Sequence, residues 1–178
     1  MSIAARIDLT VHLNELIALR CGPGRNGAVR RPRAKMVAMA DTFTTHTLNL
    51  TTGSTETVHD LTDACARFLR ETARGRDGLL NVFTPHATAG LAVIETGAGS
   101  DDDLLEALRT LLPADDRWRH RHGSPGHGRD HVLPALVPPH ATLPVVGGEL
   151  ALGTWQSVVL VDTNRDNPHR TVRLSFLG

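Results

Sequence analysis

From Thr42 onward the apolar and polar positions fall into short, regular runs. Phe43 to Leu50 reads as a strand entering a turn at Gly53. Val58, Leu61, Cys65, Phe68 and Leu69 share one helical face, which predicts a helix capped by Thr57 and ending before Gly75 and Gly78. Leu79 to Thr84 and Gly90 to Glu95 are short apolar strands separated by the Pro85-His86-Ala87-Thr88 turn. A second helix is marked by Ser100 as N-cap and Asp103 as its capping-box partner. Its apolar face is Leu104, Leu108, Leu111 and Leu112, and Pro113 stops it.

A polar stretch from Pro113 to Asp130 follows, with Trp118 as its large apolar residue. Segments of this length without regular structure are uncommon in compact domains and are usually functional or disordered. A short helix is expected near Asp130, carrying His131, Leu133 and Leu136, with Pro134 in its first turn. Three strands complete the pattern: Ala141 to Val146, a Gly147-Gly148 turn, Leu152 to Asp162, and Thr171 to Phe176. Strands and helices do not alternate as βαβ units do. The pattern therefore predicts an α+β fold with mainly antiparallel pairing and two or three helices.

Residues 1–40 break the pattern: an apolar stretch from Ile3 to Leu19 gives way to Arg25, Arg30, Arg31, Arg33 and Lys35 among Gly and Pro. They read as a flexible N-terminal extension, leaving 41–178 as one domain. A targeting peptide or a basic nucleic-acid arm is the alternative. Over the whole chain 19 basic and 19 acidic side chains cancel, which argues against a nucleic-acid partner and requires any charged ligand to be held locally. No apolar run approaches the ~18 residues of a membrane span. Cys21 and Cys65 form no paired motif, so a cytoplasmic location is expected.

Candidate chemistry lies in histidine. The chain has 10 histidines; His120, His122, His127 and His131 crowd the polar stretch, and His86 sits in a separate turn. Neutral imidazole is the commonest protein ligand for zinc, and histidines without cysteine resemble an open catalytic site more than a closed structural one. The spacing matches no standard zinc pattern. The residues alone therefore leave a metal site and a solvated His/Arg/Gly loop both open. In Leu152-Gly153-Thr154-Trp155-Gln156, Trp155 reads as a core or interface aromatic and Gln156 faces the opposite side. Asp103 doubles as a capping residue, Glu95 ends a strand, and Arg170 is a candidate phosphate ligand. No Walker loop or comparable phosphate cradle is present.

Taken in order, His86-Ala87-Thr88-Ala89, Glu95, Asp103-Leu104, Pro113, His120, His131, Leu143-Pro144-Val145, Leu152-Gly153-Thr154-Trp155-Gln156 and Arg170 resemble the YjbQ family over about Phe43 to Gly178. The resemblance implies a sandwich-like α+β domain assembled as a homotrimer. It implies a divalent metal ion, zinc or magnesium, held by His86, His120 and His131, with His127 as the first candidate for a further ligand and His122 as a bystander. Glu95, Asp103, Gln156 and Arg170 match recurrent polar positions and are the candidate catalytic residues. Because members are often named secondary thiamine-phosphate synthases, the implied activity is a transferase acting on phosphorylated small molecules. In that reaction a thiazole phosphate nitrogen displaces pyrophosphate from a pyrimidine, with Arg129 and Arg170 as candidates to neutralise the leaving group. A trimer that binds metal or metabolite without dedicated catalysis, and a metal-assisted hydrolase, are the alternatives. This chain departs from the pattern in Ala87, in Ile94, and in His127-Gly128-Arg129-Asp130-His131, where Arg129 brings a cation next to the expected metal ligands.

Overall fold

A computed structural model describes residues 43–178, and the extension expected over residues 1–40 lies outside the described residues. Eight strands and three helices follow in the order β1 (Phe43–Thr51), β2 (Thr57–Asp60), α1 (Thr62–Thr72), β3 (Gly78–Phe83), β4 (Ala89–Ile94), α2 (Ser100–Leu111), α3 (Leu133–Leu136), β5 (His140–Val146), β6 (Glu149–Leu150), β7 (Ser157–Asp162) and β8 (His169–Leu177). They form a five-stranded sheet ordered β1-β8-β3-β5-β6 and a three-stranded sheet ordered β2-β7-β4. Every pairing is antiparallel, as expected for this α+β class.

Alternation along β8 shows how the sheet is fixed. Val172, Leu174 and Phe176 point inward, against Leu80 and Val82 of β3 and Leu143 and Val145 of β5. The opposite side of this core is closed by Leu61, Cys65, Phe68 and Leu69 around α1 and by Leu91, Val158 and Leu160 of the smaller sheet. Truncating a buried aromatic such as Phe176 to Ala would cost about 3–5 kcal/mol. β7 is buried on both faces. Val158 and Leu160 enter this core, whereas Val159 and Val161 enter a second one with Leu108 and Leu112 of the α2 region and Leu133 and Val137 of the α3 region. The two helices thus cover the outer face of the small sheet.

Several local expectations are corrected. Thr57–Asp60 is a strand rather than the first turn of a helix, because it pairs with β7 from Thr57↔Asp162 to Asp60↔Val159. Cross-strand pairing overrides helical spacing there. α1 begins after an aspartate instead, with Asp60 Oδ1 accepting from the Thr62 N–H at 2.7 Å. Ser100 lies inside α2, and Gly99 precedes it at φ +99° with its carbonyl accepting from the Asp103 N–H. The Ser100 and Asp103 side chains therefore make no capping box. The buried stripe of α2 is Leu105, Leu108 and Leu112, which leaves Leu111 66% exposed.

Leu152–Gln156 is a turn before β7 rather than part of it, closed by Gln156 N–H to Gly153 O at 3.0 Å and Gly153 N–H to Gln156 Oε1 at 2.8 Å. Trp155 stands at its tip, 72% exposed, and takes no part in the core.

Candidate metal centre

The segment before α3 folds as a tight 3-10 turn at His127–Arg129, with Asp130 N–H donating to the His127 carbonyl at 3.0 Å. This places His127 and His131 on one side, and their Nε2 atoms lie 3.0 Å apart. The preceding polar stretch returns over them. Trp118 anchors it by packing on the second core and donating its Nε1–H to the Pro113 carbonyl at 2.8 Å. Close approach needs glycine at 128, since a Cβ there would sit 2.6 Å from the His120 carbonyl oxygen. His120 and His122 are thereby added to the group. The rings of His120 and His131 are 4.1 Å apart and those of His120 and His122 3.9 Å apart.

One nitrogen from each of His120, His122, His127 and His131 lies within 4.8 Å of the other three. Four nitrogens at about 2.1 Å from a tetrahedral zinc would be roughly 3.4 Å apart, the same scale as the spacing in this group. A cavity of about 320 Å³ opens beside His120 and His127, walled by Asp116, Trp118, Arg121 and residues 123–128.

His127 is the buried member of the group. Its Nδ1 faces away from the other rings, 3.0 Å from Asp166 Oδ2, 3.6 Å from Asp130 Oδ2 and 3.2 Å from the Asn164 amide nitrogen. The Ser124 N–H and the charges of His127 and His122 hold the Asp166 carboxyl below its usual range. Burial pushes Asp130 up despite the Thr163 hydroxyl bonded to it at 2.7 Å. Burial and the charges of their histidine neighbours hold His120 and His131 below the ordinary histidine range. Both effects favour the neutral imidazoles that metal ligation requires.

The structure brings together His120 and His131 but not His86. His86 sits beyond the β3 end, where its Nε2 accepts the Thr171 backbone N–H at 2.8 Å and is committed to that bond. Arg170 is likewise engaged, its guanidinium forming a two-bond pair with Asp162 at 2.7 Å for each bond, both side chains 1% exposed. Glu95 and Gln156 flank the Ile94↔Ser157 end of the small sheet, opposite the Ala89↔Asp162 end that leads to the histidines. Asp103 is exposed in the first turn of α2. Arg129 does not face the histidines: its guanidinium is buried against Glu56 and donates to the Leu112 carbonyl at 3.3 Å.

The residues missed by sequence reasoning are Glu56, Asn164 and Asp166. Asn164-Arg165-Asp166-Asn167 has the composition of Asx turns, and that was the available signal. Its bonds run from Asn164 N–H to Asp162 Oδ1 at 3.1 Å, then from the Asp166 and Asn167 N–H groups to Asn164 Oδ1 at 2.7 and 3.0 Å.

Two packed antiparallel sheets with three helices and a histidine group beside the β7–β8 turn define a small α+β domain with a candidate metal centre. The chain belongs to the UPF0047 protein YjbQ-like family, whose model matches residues 46–178. A UPF0047 protein of Mycobacterium tuberculosis strain H37Rv is 66% identical over 118 residues, covering 66% of this chain and 86% of that protein. One from Archaeoglobus fulgidus is 30% identical over 125 residues, covering 70% and 95%. Among solved structures, a hypothetical protein from Aeropyrum pernix K1 aligns with a TM-score of 0.68 at 34% identity, covering 76% of this chain and 98% of that one. A YbjQ-like protein of unknown function from Sulfolobus solfataricus P2 aligns with a TM-score of 0.72 at 21% identity, covering 78% and 99%, a likeness of fold alone. No described helix is long and apolar enough to cross a membrane.

Proposed function

We propose that the chain is a metal-dependent enzyme of the hydrolytic kind, acting on a small polar metabolite, with a divalent ion held by His120, His122, His127 and His131. One observation carries this reading: four imidazole nitrogens within 4.8 Å of one another at the edge of a cavity. Four neutral imidazoles without an oxygen ligand suit zinc and its transition-metal neighbours. Magnesium prefers carboxylates, phosphates and water, so of the two metals expected zinc fits better. A zinc-class ion held by three of these rings, with the fourth displaced, or by all four in a five-coordinate shell, would keep a position at which it supplies Lewis acidity to a substrate oxygen or a water. The protein's share is to aim His127 and His131 from a tight turn, to bring His120 and His122 over them, and to offer Arg121 as a cationic wall for an anionic substrate group.

The thiamine-phosphate synthase reading has weaker support, because the two cations it would use on pyrophosphate, Arg129 and Arg170, are buried in ion pairs. A phosphorylated ligand remains compatible through Arg121. Homotrimer assembly is also part of the proposal. It is supported by an apolar row, Phe43, Leu177, Leu79 and Pro144, paired across four strands on the solvent side of the large sheet.

Elemental analysis of purified protein, followed by assay of phosphorylated metabolites for phosphate against pyrophosphate release, tests the reading. About one zinc-class ion per chain with metal-dependent phosphate release is expected. Protein that takes up no divalent ion overturns the proposal, and pyrophosphate release with a new carbon–nitrogen bond restores the transferase.

A further inference from the structure

We infer that the groove between α1 and β6 is a binding site for a free apolar α-amino acid, independent of the histidine group and of the metal reading above. A cavity of about 290 Å³ lies there, a size suited to one small metabolite. One wall is the α1 face of Thr62, Ala66 and Arg70, spaced four residues apart so that they line one side of the helix over about 12 Å. The other wall is Glu149 and Leu150 of β6, with Leu152 and Gln156 from the turn before β7. Ala66, Leu150 and Leu152 make the floor apolar, and the two leucines rest on the main core. The two ends are fixed differently. Val158 N–H donates to the Thr62 hydroxyl at 2.9 Å, which places Gln156 by the start of α1. Gly148 approaches Gly75, just past the end of α1, so closely that a Cβ would sit 2.8 Å from the Gly75 nitrogen. Glu149 therefore stands at the Arg70 end.

At that end two opposite charges share the groove without meeting. Arg70 and Glu149 are both exposed, and neither makes an ion pair or a side-chain hydrogen bond among the described residues. The main chain repeats the pattern. β6 is an outer strand of the large sheet, and Ala151 N–H donates to the Pro144 carbonyl at 3.0 Å. Alternation along the antiparallel pair then turns the N–H and C=O of Leu150 away from β5, and they have no partner among the described residues. An α-amino acid carries the complement of all four groups on one carbon. Its carboxylate accepts from Arg70 and the Leu150 N–H, and its ammonium donates to Glu149 and the Leu150 carbonyl. The side chain lies along Ala66 and Leu152. Gln156 closes the far end, its Oε1 held by the Gly153 N–H at 2.8 Å and its Nε2 hydrogens turned free. Strand addition by a longer peptide is the competing use of such an edge, but β6 is two residues long and offers one outward-facing residue to pair with.

Calorimetric titration of the full chain in chelating buffer tests the inference, with L-leucine, L-methionine and L-phenylalanine as probes, and their N-acetyl and amide derivatives as ligands that lack one charge. At least one free amino acid is expected to bind saturably, one per chain. Loss of the ammonium, loss of the carboxylate, Arg70→Gln and Glu149→Gln should each weaken it about 10–100-fold. His120→Ala, which removes a member of the histidine group, should leave it unchanged. Both substituted charges are exposed, and the derivatives probe the same contacts on the unaltered protein, so a misfolded variant does not decide the matter. No saturable binding by any of the three overturns the inference. So does equal binding of the derivatives, which assigns the groove to a peptide, or loss of binding in His120→Ala, which moves the ligand to the histidines. Binding without uptake of any divalent ion leaves this site standing and removes the metal reading.

Discussion

Arg129 and Glu56, 73 positions apart, form an ion pair with side chains only 5% and 6% exposed. The pair draws the guanidinium away from the histidines. Burial opposes ionisation of Glu56, yet hydrogen bonds from Arg129 and Arg109 outweigh it and hold the carboxyl below its usual range. Removing one partner strands the other charge. Glu56→Ala is expected to destabilise the fold by about 3–5 kcal/mol, and a paired Glu56→Leu, Arg129→Met replacement by much less. Urea unfolding of the three proteins measures this, and a single substitution as mild as the double one would show that the pair is solvated.

His86 is expected to be dispensable for metal uptake within one chain. His86→Ala should retain metal after mild chelation and lose about 1 kcal/mol of stability through the unpaired Thr171 N–H. His120→Ala, His127→Ala and His131→Ala should each lose the ion. Dialysis followed by elemental analysis separates the two sets, and metal loss in His86→Ala would extend the site beyond the four clustered rings.

Acid should loosen the metal-free protein in the histidine range. His86, His120 and His131 are held below their ordinary value, by loss of solvation first in each case, the exposed His120 through the rings crowded around it. Between the folded values and the unfolded value near ~6.5 the unfolded chain binds more protons, so stability rises with pH across that window and is lost as pH falls. Asp166, also held low, adds the same sign at more acidic pH. Urea midpoints of metal-free protein should fall steadily from pH 7 to pH 5, and a flat profile would contradict the assigned directions.

Cys65 should be chemically silent in the native state. Burial, with help from the charge of Asp60, pushes its thiol up to about 12, leaving almost no thiolate at neutral pH. Iodoacetamide is expected to reach Cys65 only after unfolding, and mass mapping of labelled peptides in native buffer checks this.

The strands were legible wherever alternation met a buried face, as in Val172, Leu174 and Phe176. Thr57–Asp60 was not, because its pairing partner lies in β7, about a hundred residues downstream, and leaves no local trace. The histidine density announced the candidate centre, but not its membership. His122 joins it through a chain reversal that Gly128 permits, and His86 stands apart from it, its Nε2 bonded to the Thr171 N–H. Asp166 was invisible for a similar reason: its relation to His127 exists only once β7 and β8 are joined by the Asn164 turn.

The four histidines differ in what holds them. His127 and His131 rise from a hydrogen-bonded turn backed by β7, whereas His120 and His122 are exposed and arrive on a strand-free stretch that also carries Arg117, Arg119 and Arg121. An ion shared by all four would staple that stretch to the body of the domain. Trypsin becomes a reporter of occupancy: the metal-loaded protein should resist nicking at these three arginines, and chelation should open them to cleavage while the sheets survive as a stable fragment.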